Sequence, residues 1–145
     1  MDVRRGTLIA VLVAAIAVPA AAAATTSKFK GSVVGDENSK VTFKVIKNEN
    51  GKRRVDVPKA KRLDATCEMG PNEIDATFGS LGNIKVSQSG EFNFDNSGEK
   101  YVAYVRGTIS GKSASGVLHF QGPTNFDGAA QDCDTGEVNW TAKKV

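Results

Sequence analysis

Asp134-Thr135-Gly136 is the one tripeptide in this chain spelled like a catalytic motif, that of the aspartic proteases. Those enzymes need two such aspartates sharing a proton, each on a loop behind an apolar strand. Here Gln131-Asp132-Cys133 precedes it and the surrounding apolar pattern is missing. The expectation is a glycine-containing turn in which Asp134 or Thr135 bonds the local backbone. His119, the only histidine, would need a nucleophile beside it to act as a general base. No serine stands in Gly-x-Ser-x-Gly, so a solvent-facing or satisfied strand histidine is expected. The acidic stretches at Asp36-Glu37, Asp95 to Glu99 and Asp127 to Asp134 do not follow the EF-hand order. Two cysteines and one distant histidine do not complete a zinc site. No catalytic residue, metal or cofactor is expected.

The strongest surface feature is basic. Lys47, Lys52, Arg53, Arg54, Lys59, Lys61 and Arg62 crowd one segment against only Glu49 and Asp56. Lys52, Arg53, Arg54, Lys59, Lys61 and Arg62 form the candidate polyanion-binding set, for an anionic cell-envelope polymer or another extracellular protein. No aromatics interleave with them, and the net charge is only +3, so nucleic acid is not expected as a partner. The competing reading is that lysines beside Pro58 guard a sheet edge against aggregation. Tyr101, Tyr104 and Trp140 could stack on sugars, but Trp140 is in phase with Val138 and Ala142 and is assigned to the core. Tyr104 is the better exposed candidate.

These residues must be held by a domain whose address is written at its start. Arg4-Arg5, the apolar run Leu8 to Ala17, Pro19 and the alanines to Ala24 follow the order of a secretory signal peptide. Residues 1–24 are read as that signal and residues 25–145 as a single β domain, secreted or extracytoplasmic, with no membrane span after cleavage. Cleavage would remove Arg4 and Arg5 against Asp2, taking the net charge from +3 to +2. In an oxidising destination an even pair of cysteines implies a disulfide, here Cys67 with Cys133.

Along the rest of the chain apolar residues recur at every second position. Val41, Phe43 and Val45 alternate with Thr42 and Lys44, and Ile74, Ala76 and Phe78 with Asp75 and Thr77. Asn50-Gly51 is the strongest hairpin signal. Pro58 marks an edge or a bulge, because it cannot donate to a ladder. Tyr101 to Ile109 carries bulky groups on both faces, as a central strand would. Gly122 to Gln131 reads as a loop, the only stretch that could serve as an inhibitor's inserted segment. About nine short strands predict an all-β fold, an antiparallel β-sandwich (jelly-roll-like) or partly closed barrel with one disulfide.

Taken together, Phe29-x-Gly31, Val41-x-Phe43-x-Val45, Ala65-Thr66-Cys67, Phe92-x-Phe94, Val105-x-Gly107-x-Ile109 and Cys133-Asp134-Thr135-Gly136-x-Val138-x-Trp140-x-Ala142 carry a resemblance. The chain resembles a family of uncharacterised small secreted proteins of high-GC Gram-positive bacteria. That resemblance implies a secreted, disulfide-bonded β domain and lends no activity. Lys59, Lys61 and Arg62 depart from its pattern. The expectation for function is a non-catalytic binding module at the cell envelope or outside the cell. An unrecognised secreted hydrolase or protease inhibitor, or a structural envelope protein, are the alternatives.

Overall fold

Among the described residues ten antiparallel strands follow one another. The computed structural model describes residues 15–17, 22–79 and 84–145, so most of the expected signal, residues 1–24, lies outside the described residues. The strands are β1 (Thr25–Val33), β2 (Asp36–Lys47), β3 (Arg53–Cys67), β4 (Gly70–Thr77) and β5 (Ile84–Val86), then β6 (Glu91–Asp95), β7 (Val102–Ser110), β8 (Ser113–Phe126), β9 (Ala129–Asp134) and β10 (Val138–Lys144). The period-two patterns land as read: Val41, Phe43 and Val45 are buried, and so are Ile74, Ala76 and Phe78.

Pairing runs β10-β1-β2-β3-β9-β8-β7-β6, and β10 also pairs β8. The sheet therefore closes on itself through β1, β2, β3, β9, β8 and β10, in the manner of a partly closed barrel. Most junctions of this ring are long, but β3 meets β9 only at Thr66↔Asp134 and Cys67↔Cys133. The Cys67–Cys133 disulfide sits at that shortest seam.

Pro58 does not interrupt β3, which continues from Arg53 to Cys67 and is paired along both edges. The irregularity is absorbed as a bulge, since the β2 register shifts opposite Val57-Pro58 and Val57 has φ of 25°. This is the ordinary way a strand accommodates a residue lacking an N–H donor. The expected loop from Gly122 to Gln131 is instead the β8–β9 hairpin. Asp127 and Gly128, with φ of 47° and 90°, make its two-residue turn. Asp-Gly favours the primed turns that match strand twist, and the flanking residues pair from Phe126↔Ala129 onward.

The core centres on Trp140, which is 1% exposed. Its ring packs edge-on to Phe43 at 5.7 Å between centroids and tilted against Phe92 at 6.2 Å. Phe43 in turn stacks on Phe29 at 5.0 Å. Room for the indole comes from neighbouring strands: Trp140 pairs with Gly116, and Gly116 with Gly107. A Cβ on Gly107 would lie 2.6 Å from Trp140 Cζ2.

Candidate polyanion-binding face

Alternation along β1, β2 and β3 that buries Phe29, Val41, Phe43, Val45, Val55 and Ala60 turns the residues between them outward. Those outward positions align across strands in four rows. One is Arg54 beside Lys85, with Ile46 and Thr26 behind them. The second is Lys28, Lys44 and Asp56. Lys143, Lys30, Thr42 and Lys59 form the third, and Lys40 with Lys61 the fourth. These rows contain nine cationic side chains and one carboxylate, Asp56. Among the described residues none of the nine lies in an ion pair.

Within these rows four cross-strand neighbours are cation against cation: Lys28–Lys44, Lys30–Lys143, Lys40–Lys61 and Arg54–Lys85. Like charges directly opposite one another destabilise a sheet by roughly 0.2–1 kcal/mol per pair. Folding alone supplies no reason for this arrangement.

Of the six residues assigned from sequence, Arg54, Lys59 and Lys61 stand in the rows. Lys52 and Arg53 lie at the end of the barrel, where with Arg54 and Lys85 they line a recess of about 1060 Å³ under the β2–β3 turn. Arg62 is turned away from this company. It occupies a bulge with φ of 56°, its N–H bonds Asp75, and its guanidinium pairs with Glu73 at 3.2 Å. Lys28, Lys30, Lys40, Lys44, Lys85 and Lys143 were not singled out by sequence, because they are scattered along the chain and only strand register gathers them.

A second polar cluster lies on β7, β8 and the turn after β9. His119 Nε2 is 2.7 Å from Asp134 Oδ1, which also accepts the Gly136 N–H at 2.7 Å. The Gly136 N–H, with His119 assisting, holds the Asp134 carboxyl below the ordinary aspartate value against the burial that would raise it. Tyr104 lies edge-on to His119 at 5.7 Å and donates its hydroxyl to Glu137, while Arg106 covers its ring at 4.5 Å. The hydrogen bond to Glu137, then shelter from solvent, raises the Tyr104 phenol above its ordinary value.

A histidine oriented by a carboxylate is half of a nucleophile-activating set. Among the described residues, however, no serine, threonine or cysteine bonds the His119 ring. Thr135 is instead spent on the Phe120 backbone, accepting its N–H at 3.0 Å. The tripeptide is a turn, as its surroundings predicted, and its aspartate satisfies the strand histidine. Of the three sugar-stacking candidates, Trp140 is interior, Tyr104 is tied to Glu137 and Tyr101 is exposed. Among the described residues no group of three His, Cys, Asp or Glu side chains is placed to hold a metal, and no helix is long and apolar enough to cross a membrane.

Asp134→Asn is expected to lower stability by about 1 kcal/mol or less at neutral pH, since nearly half of the side chain is exposed and screened. A depressed folded pKa stabilises above the unfolded value and loses that contribution as pH falls through the folded one. The gap between wild type and variant should therefore persist down to about pH 4 and close below it in urea titrations run at a series of pH values.

Comparison with known protein families, curated proteins and solved structures finds no match to this chain.

Proposed function

We propose that this protein is an exported, non-catalytic module that binds an anionic polymer at the cell envelope through the outer face of β1, β2, β3, β5 and β10. The observation that carries the reading is the set of four like-charge pairs across adjacent strands. Such pairs oppose folding and become favourable when a polyanion lies over them. The basic start, apolar run and small-residue exit of residues 1–24 support export, and the disulfide is consistent with an oxidising, extracytoplasmic location.

Binding to polyphosphate and polygalacturonate, measured over a salt series, should weaken steeply as added salt shortens the screening length. Lys44→Gln removes one repulsion from Lys28 and one contact to the polymer. Because Lys44 also faces Asp56 across the sheet, the substitution should shift the stability of the free protein by no more than about 0.5 kcal/mol while lowering polymer affinity. Binding indifferent to salt, or a Lys44→Gln variant with unchanged affinity for both polymers, would overturn the reading.

A further inference from the structure

The row containing Lys30 and Lys143 does not end at the last lysine. Across the next two strands it continues as Ser113 and then Ser110. Two residues away along the strands runs a parallel row composed of hydroxyls, Ser32, Thr141, Ser115 and Thr108, each paired with the next across β1, β10, β8 and β7. Between the rows Gly31, Ala142, Ala114 and Ile109 face the core side of the sheet, so backbone forms the floor. The rows line a recess of about 570 Å³ on the sheet. Hydroxyls therefore repeat at the strand spacing, about 4.8 Å, over four consecutive strands. Beyond Thr108 the neighbouring strand presents Glu91, so the negative charge and the lysines stand at opposite ends.

We infer that this hydroxyl-and-lysine recess is a binding site for an acidic polysaccharide, a chain of carboxylate-bearing sugars. The inference rests on the polyanion reading above and specifies the ligand's second chemical character. A serine or threonine hydroxyl is donor and acceptor at once. Sugar hydroxyls are the same, so a sugar chain can satisfy both capacities of each group in the row. A polyphosphate or a nucleic-acid backbone offers chiefly acceptors there and would leave the acceptor lone pairs of the row unused. The carboxylates of an acidic sugar chain are drawn to Lys30 and Lys143 and repelled from Glu91, which sets the end of the recess they occupy. No aromatic ring lines the recess, so the sugars are held by their polar edges and not by stacking.

The test uses the folded, disulfide-bonded protein and three polymers: polygalacturonate, polyphosphate and neutral dextran. Thr141→Val with Thr108→Val removes two hydroxyls while preserving side-chain shape and strand preference, and thermal melting confirms that the fold is kept. At about fivefold per hydrogen bond, this variant should bind polygalacturonate on the order of tenfold or more weakly and polyphosphate unchanged. Lys30→Gln with Lys143→Gln should weaken both. If the hydroxyl variant binds polygalacturonate like wild type while the lysine variant loses it, the inference is overturned and the basic face survives. Dextran bound as tightly as polygalacturonate overturns the acidic ligand class. Failure of wild type to bind either charged polymer at low salt overturns the inference and the polyanion reading together.

Discussion

Replacing Cys67 and Cys133 together by serine is expected to cost about 4 kcal/mol of stability, because the bridge closes a loop of 66 residues in the unfolded chain. A domain of this size has roughly 5–15 kcal/mol in total, so the variant should sit near the edge of folding at physiological temperature. The ring explains why local pairing offers no compensation. At the ring's other junctions neighbouring strands share five or more residue pairs, as β1 with β10 and β10 with β8, whereas β3 and β9 share two. Glu68 adds one backbone bond to Asp132 at 3.1 Å. Hydrogen exchange should accordingly report loss of protection first at Thr66 to Glu68 and Asp132 to Asp134. Urea midpoints for the oxidised wild type and the double-serine variant measure the size of the effect. A loss below about 1 kcal/mol would mean that the seam is held by something other than the bridge.

Trp140→Ala should cost roughly 3–5 kcal/mol, the range for emptying a large aromatic site in a core. Trp140→Phe should cost less, since the indole Nε1 finds no acceptor among the described residues and no hydrogen bond is lost with it. The sharper measurement is a double-mutant cycle with Gly107. Valine at position 107 would press on Trp140 Cζ2 and Phe92 Cζ, 2.6 and 2.8 Å from the new Cβ, and overpacking of this kind costs roughly 1–3 kcal/mol. In the background of Trp140→Ala that side chain enters space the indole has left. The double variant should be more stable than the sum of the singles by at least about 1 kcal/mol. Additive losses would show that the glycine is not there to admit the indole.

Much of this architecture could be read from residue order because the strands are half-buried and wear their alternation openly. Val41 to Val45, Ile74 to Phe78 and Val138 to Ala142 needed no further information. Asn50-Gly51 and the cysteine pair likewise carry local or compositional signals. The β8–β9 hairpin looks like a loop in sequence because Gly122, Pro123, Asn125 and Asp127 suppress strand propensity, yet pairing with β9 overrides that weak preference. What could not be read was register. Lys28 and Lys44, or Ser115 and Thr141, become neighbours only once strand pairing is known. Arg62 looked like part of the basic segment because sequence does not show a bulge that re-aims a side chain toward Glu73. His119 and Asp134 carry no joint signal in sequence for the same reason, being 15 residues apart in the chain and 2.7 Å apart in space.

The pairing of the first strand with the last has a consequence for how the molecule is made. Phe29 opposes Lys144, and Val145 donates its N–H to the Lys28 carbonyl at 2.9 Å. A chain emerging from a ribosome with its N-terminus leading presents β1 long before β10 exists. β2 can cover one edge of β1 early, but the other edge waits for β10. Contacts so distant in sequence form slowly, and until they form the ring is open. Synthesis must thus reach β10 before the ring can close, and a chain that stops short of that strand would have no closed sheet to settle into.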